Sequence, residues 1–171
     1  MDPIPEEVVE TTWKEVAQLN EAQLQKEMAT LGREQRDLLG FVLALTRDTA
    51  RSVSELALYM FFTVFRMFQK SYGRRIKPIS AGKIVACHEA NEVLLGSLEG
   101  VHDKFLDRAV HIQLAVQPHV MRYVVETLVE TEEDKDLREL TEEDKGSLFL
   151  LLKTVIDLLD KATEQEGNKR G

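Results

Sequence analysis

LQKEMATLGREQRDLLGFVLAL, residues 24–45, sets Leu24, Met28, Leu31, Gln35, Leu38, Val42 and Leu45 at alternating intervals of four and three. An α-helix turns every 3.6 residues, so this spacing holds the whole set on one stripe facing a neighbouring rod. The stretch predicts one long N-terminal helix over about 20–48, with Asn20 and Glu21 placed to cap its start. Gly32 and Gly40 fall off the stripe, each at a cost of about 1 kcal/mol relative to alanine. Gln35 is the one polar residue in the seam and suits either a register-setting contact or an exposed turn.

The same periodicity extends in both directions. Ser52-Val53-Ser54-Glu55 has the form of a capping box. The helix it opens, about 53–72, runs through Leu56-Ala57-Leu58-Tyr59-Met60-Phe61-Phe62-Thr63-Val64-Phe65-Arg66-Met67-Phe68 and is apolar on every face, which predicts a central helix enclosed on all sides. Gly73 offers a C-cap, and Ser80 an N-cap for a helix over about 81–99 with Ile84, Cys87, Asn91, Leu94, Leu95 and Leu98 on one stripe. A helix over about 102–116 follows, and Pro118 restarts or kinks the chain into a segment reaching about 130. After an acidic connector at 131–140, Thr141-Glu142-Glu143-Asp144 caps a last helix with Leu148, Leu151, Leu152, Val155, Leu158 and Leu159 inward. Upstream, Thr11 or Thr12 opens a short helix carrying Trp13 and Val16. No segment alternates with the period of two that a half-buried strand requires. The expectation is an all-α bundle of about six or seven helices, organised as a flexible arm at 1–10, one helical domain at 11–165 and a frayed tail at 166–171.

Composition agrees with a folded chain. At 171 residues and 43% apolar content, one hydrophobic core suffices without covalent staples. The single cysteine, Cys87, excludes an internal disulfide and any cysteine-rich metal motif. The opening Met1-Asp2-Pro3-Ile4-Pro5 is acidic and proline-broken, unlike a secretory leader. The apolar run from Leu56 to Phe68 falls short of the roughly 20 residues a bilayer span needs. These features predict a cytoplasmic protein with no membrane span.

The net charge of −8 conceals a division. Residues 56–88 carry Arg66, Lys70, Arg74, Arg75, Lys77 and Lys83 and no acidic side chain, while acids predominate on both sides. Arg66, Lys70 and Arg74 are four apart and share a helix face. Amides after Ser80 would face outward at a helix start, where anions are favoured. This segment is the candidate anion- or partner-binding site. It also admits a plainer reading, as dipole compensation and ion pairing to acidic helices of the same bundle. Nucleic acid is disfavoured as the anion, since the remaining surface repels it and only Tyr72 is placed for stacking.

Candidates for chemistry are sparse. Glu99-Gly100-Val101-His102 is the one Glu-x-x-His match, and a di-metal bundle needs two. His88 with Glu92 lies at i,i+4, so His88, Glu92, Glu99 and His102 form the weakest candidate set, for a metal-dependent helical enzyme. Cys87, His88 and Asn91 have the residue types of a thiol nucleophile, its base and an orienter, but adjacent positions on a helix diverge by about 100° and cannot meet. A buried thiol, with Asn91 bonding across the core, accounts for them. No cofactor motif is present.

The apolar excess points instead to association. The seam residues Leu24, Met28, Leu31, Gln35 and Leu38, with Phe61, Phe65 and Phe68, are the candidate interface of a homodimer, the commonest oligomer. The functional expectation is a non-catalytic helical bundle acting through protein–protein contacts, with the basic segment as an alternative anion or nucleic-acid site.

Overall fold

The computed structural model describes residues 2–73, 76–97, 116–130 and 140–169. Among them the chain is all-α, with no strand, and forms seven helices. These are α1 (Glu6–Ala17), α2 (Glu21–Glu34), α3 (Arg36–Leu45), α4 (Arg51–Tyr72), α5 (Ala81–Ser97), α6 (Pro118–Glu130) and α7 (Glu142–Lys169). Among the described residues, no helix is long and apolar enough to cross a membrane. The helix expected over about 102–116, and all of the acidic connector but Leu140, lie outside the described residues.

The Phe- and Met-rich helix is central, as its all-round apolarity requires. Every residue from Met60 to Phe65 is buried, and so are Met67 and Phe68. Enclosing them takes α1, α3, α6 and α7, all of which pack on α4. The last helix is the second axis of the bundle, touching α3, α4, α5 and α6. Its expected stripe, Leu148 through Leu159, is buried throughout. Full burial of one such side chain contributes about 1.5–3 kcal/mol, so the stripes of α4 and α7 supply much of the core's stability.

Local signals set most boundaries. Asn20 caps α2 in a reciprocal box with Gln23, at 2.8 and 3.0 Å. Thr141 and Asp144 form the equivalent box at α7. Gly73 ends α4 at φ 119°, a conformation that other residues rarely adopt. Pro118 is the first residue of α6, where its missing N–H costs nothing.

Three expectations are corrected. The box at Ser52–Glu55 does not form: α4 begins two residues earlier than expected, at Arg51, and the Glu55 carboxylate pairs with Arg51 at 2.9 Å instead. The start of the chain is no loose arm, since α1 opens at Glu6 and Ile4 is fully buried. The Ile4 N–H donates to Gln117 Oε1 at 2.9 Å, and the Gln117 amide nitrogen donates to Tyr72 Oη and Asp160 Oδ1. The Tyr72 hydroxyl in turn donates to the Asp2 carbonyl.

The third correction concerns the seam at 24–45. It is two helices, broken at Gln35, whose φ and ψ of −130° and 60° are not helical. The break brings Gln35 to 0% exposure, where its amide replaces secondary structure for the loop before α5. Nε2 donates to the Ile76 and Lys77 carbonyls at 3.1 and 2.9 Å, and Oε1 accepts the Ile79 N–H at 3.0 Å. Gly32 lies close to the bend, where a Cβ would stand 2.9 Å from Leu39 Cδ2, a side-chain end that can rotate aside.

Replacing Gln35 with leucine keeps the volume and strands two carbonyls and one N–H of that loop. We expect a loss of roughly 3 kcal/mol in urea unfolding; a Gln35→Leu protein as stable as the parent would show that the amide is dispensable.

Candidate anion-binding cleft

Helix α5 lies along α7, and where small side chains face each other the two fail to close. Ala86, Cys87 and Ala90 of α5 oppose Leu158 and Ala162 of α7, and Pro78, Ile79 and Val116 complete the apolar wall. The result is a cleft of about 730 Å³, within the range of small-molecule sites.

Beneath it sits a polar cluster that satisfies itself. Lys153, 6% exposed, reaches Asp157 Oδ2 at 2.7 Å and Asn91 Oδ1 at 3.0 Å. Asn91 Nδ2 donates to Asp157 Oδ2 at 3.1 Å and to Thr154 Oγ1 at 3.2 Å, and Thr154 Oγ1 donates to the Leu150 carbonyl. The Asn91 amide is thereby used at both ends. Removing the Asp157 carboxylate would leave the Lys153 ammonium buried without its counter-charge, a cost of about 3–5 kcal/mol.

Cys87 borders both the cluster and the cleft. Its Sγ lies 3.8 Å from the Thr154 carbonyl and from Asn91 Nδ2. Burial, and then the negative charge of Asp157, pushes the thiol pKa up, so the reactive thiolate is disfavoured. His88 is engaged elsewhere, with Nε2 2.7 Å from Glu92 and its ring edge-on to Phe41 of α3. The nucleophile–base contact is absent from the described geometry.

Charge collects at the cleft. Lys77, Lys83 and Lys161 line it, and none has an ion pair among the described residues. Two carboxylates also line it. Asp157 is matched by Lys153, and Asp160 accepts the Gln117 amide at 2.8 Å. Among the described residues, three lysines without an ion pair therefore line the cleft with one carboxylate, Asp160, that has no cationic partner. The sign is positive.

The basic segment read from the sequence divides accordingly. Arg66 lies 3.7 Å from Glu27 of α2, and Lys70 pairs with Glu15 of α1, so these two join helices of the bundle. Lys77 and Lys83 belong to the cleft. Arg74 and Arg75 lie outside the described residues. The metal candidates are also split: His88 and Glu92 form an isolated pair, while Glu99 and His102 lie outside the described residues. Among those described, no group of three or more histidine, cysteine or acidic side chains could hold a metal ion.

The interface candidates are corrected too. Leu31, Gln35, Leu38, Phe61, Phe65 and Phe68 are buried within one chain, because neighbouring helices supply the cover expected of a second copy. Leu24 and Met28 are partly buried against the same core. Sequence reasoning missed Lys153, Asp157 and Lys161. Their signal was visible, as charges four apart along the apolar stretch of the final helix from Leu148 to Ala162.

No protein-family profile matches the chain, and no curated protein or solved structure matches it either.

Cys87 should react with iodoacetamide more slowly than a free thiol at neutral pH. Because its pKa is raised, the rate should keep climbing beyond about pH 8.5, where a free thiol begins to level off. Stopped alkylation followed by mass spectrometry measures this; a rate at or above that of free cysteine at neutral pH would contradict the protonated thiol.

Proposed function

We propose that the protein is a non-catalytic helical binding module that takes an anionic ligand or partner in the α5–α7 cleft. One observation carries this reading: three lysines without ion partners among the described residues converge on a mainly apolar cleft, in a chain whose net charge is −8. In an acidic protein, cations that find no acid of their own are an arrangement held for something else. The protonated thiol and the self-satisfied cluster favour binding over catalysis. A chain with one free thiol also fits the reducing cytoplasm.

A second reading, self-association, is favoured by the outer side of α5. Val85 and Val93 are 53% and 74% exposed there, opposite the stripe that buries Ile84 and Asn91. On α3, which packs beside α5, Leu43 and Leu45 are exposed as well. A helix apolar on both sides suits the edge of a shared interface.

Titration with anilinonaphthalene sulfonate, an aromatic monoanion, tests the first reading. The Lys77→Glu/Lys83→Glu/Lys161→Glu variant should bind at least about tenfold more weakly, from roughly 0.5 kcal/mol or more per ammonium. Lys26→Glu, on exposed α2, should bind as the parent does. Equal binding by the triple variant would discard the cleft. For the second reading, light scattering with sizing should give twice 19.5 kDa, and Val85→Lys/Val93→Lys should restore the single-chain mass. A parent mass of one chain at every concentration removes that reading.

A further inference from the structure

We infer that the cleft takes a single molecule of an aliphatic acid, with its carboxylate among Lys77, Lys83 and Lys161 and its chain lying between α5 and α7. The inference rests on the anion-binding reading above and names the ligand class.

Charge selects the head. Three ammonium groups are strongly hydrated point charges without the fork geometry that guanidinium offers to phosphate. They can surround a small monoanion from several directions. With Asp160 opposing them, the excess is modest, enough for one acid group and too little for a polyanion.

The wall chemistry selects the body. A sugar or nucleoside carries hydroxyls and ring nitrogens that need partners once they leave water. The floor has few to offer, because Asn91 is committed at both ends and Asp157 Oδ2 already accepts from two groups. Among the described residues lining the cleft none is aromatic, so a nucleobase finds no stacking platform there. What remains is aliphatic: Ile79, Ala86, Ala90, Leu158 and Ala162. Two alanines one turn apart on α5 make a smooth channel along the helix, suited to an unbranched chain. At about 730 Å³ the space fits one such molecule and not the face of another domain.

Calorimetry with acetate, hexanoate, octanoate, decanoate and dodecanoate, each below its aggregation concentration, tests the assignment. Affinity should rise about three- to fourfold per added methylene, the increment for burying one CH₂, and level off when the cleft is full. 1-Decanol, which lacks the charge, should bind at least tenfold more weakly than decanoate. Ala90→Phe, at an exposed position of α5, should remove the longer acids while leaving the circular dichroism spectrum unchanged. Lys161→Glu should weaken every member of the series by a similar factor.

Equal affinity for acetate and decanoate would overturn the inference and leave a head-group anion site standing. Binding to anionic vesicles without binding to the monomeric acid would overturn it in favour of a membrane surface. Failure to bind any acid, together with failure to bind the aromatic sulfonate, would remove the parent reading as well.

Discussion

Helix α4 imposes the constraint from which the rest of the architecture follows. Its run from Met60 to Phe65 is buried residue by residue, so no side of the rod can face water. A helix in that position needs neighbours around its whole circumference, and α1, α3, α6 and α7 supply them. Burial also explains why the phenylalanines, so conspicuous as an association surface when the chain is read linearly, are spent inside one subunit. The driving force is area removed from water, and it does not distinguish an internal helix from an external copy.

Polar groups do different work in this core. Gln35 and Gln117 are both buried, and each uses its amide to hold an irregular segment: the loop before α5 in one case, the first residues of the chain in the other. An irregular backbone cannot satisfy its own carbonyls and N–H groups, so a side-chain amide with one acceptor and two donors is an economical substitute. The Lys153–Asp157–Asn91 cluster solves a related problem for charge. By closing on itself it lets α7 carry ions through a tight contact with α5, and it leaves the cleft above with apolar walls. The positive character of the cleft then comes only from lysines that the cluster does not absorb.

Parts of this were legible one helix at a time. The spacing of apolar residues along α6 and α7 identified their inward faces, the all-round apolarity of α4 identified its central place, and Asn20, Gly73 and Thr141 marked real boundaries. The reading failed where a residue's role depended on a distant segment. A regular four–three spacing through Gln35 looks like one rod because period describes a single helix; the break is stabilised by carbonyls forty residues further on, at Ile76 and Lys77. For the basic segment, the plainer reading of ion pairing to acidic helices of the same bundle holds for Arg66 and Lys70, which pair with Glu27 and Glu15.

What the sequence determined by itself was therefore the secondary structure class, the central place of α4 and the concentration of cations between residues 66 and 83. These depend on local periodicity and charge, which the chain order contains directly. Only the tertiary structure decided that Lys77, Lys83 and Lys161 would line one cleft, and that a gap would remain between Ala86, Ala90 and Ala162. Convergence of that kind is set by the distance and angle at which two helices pack, and those follow from the fit of many side chains at once rather than from any single stretch.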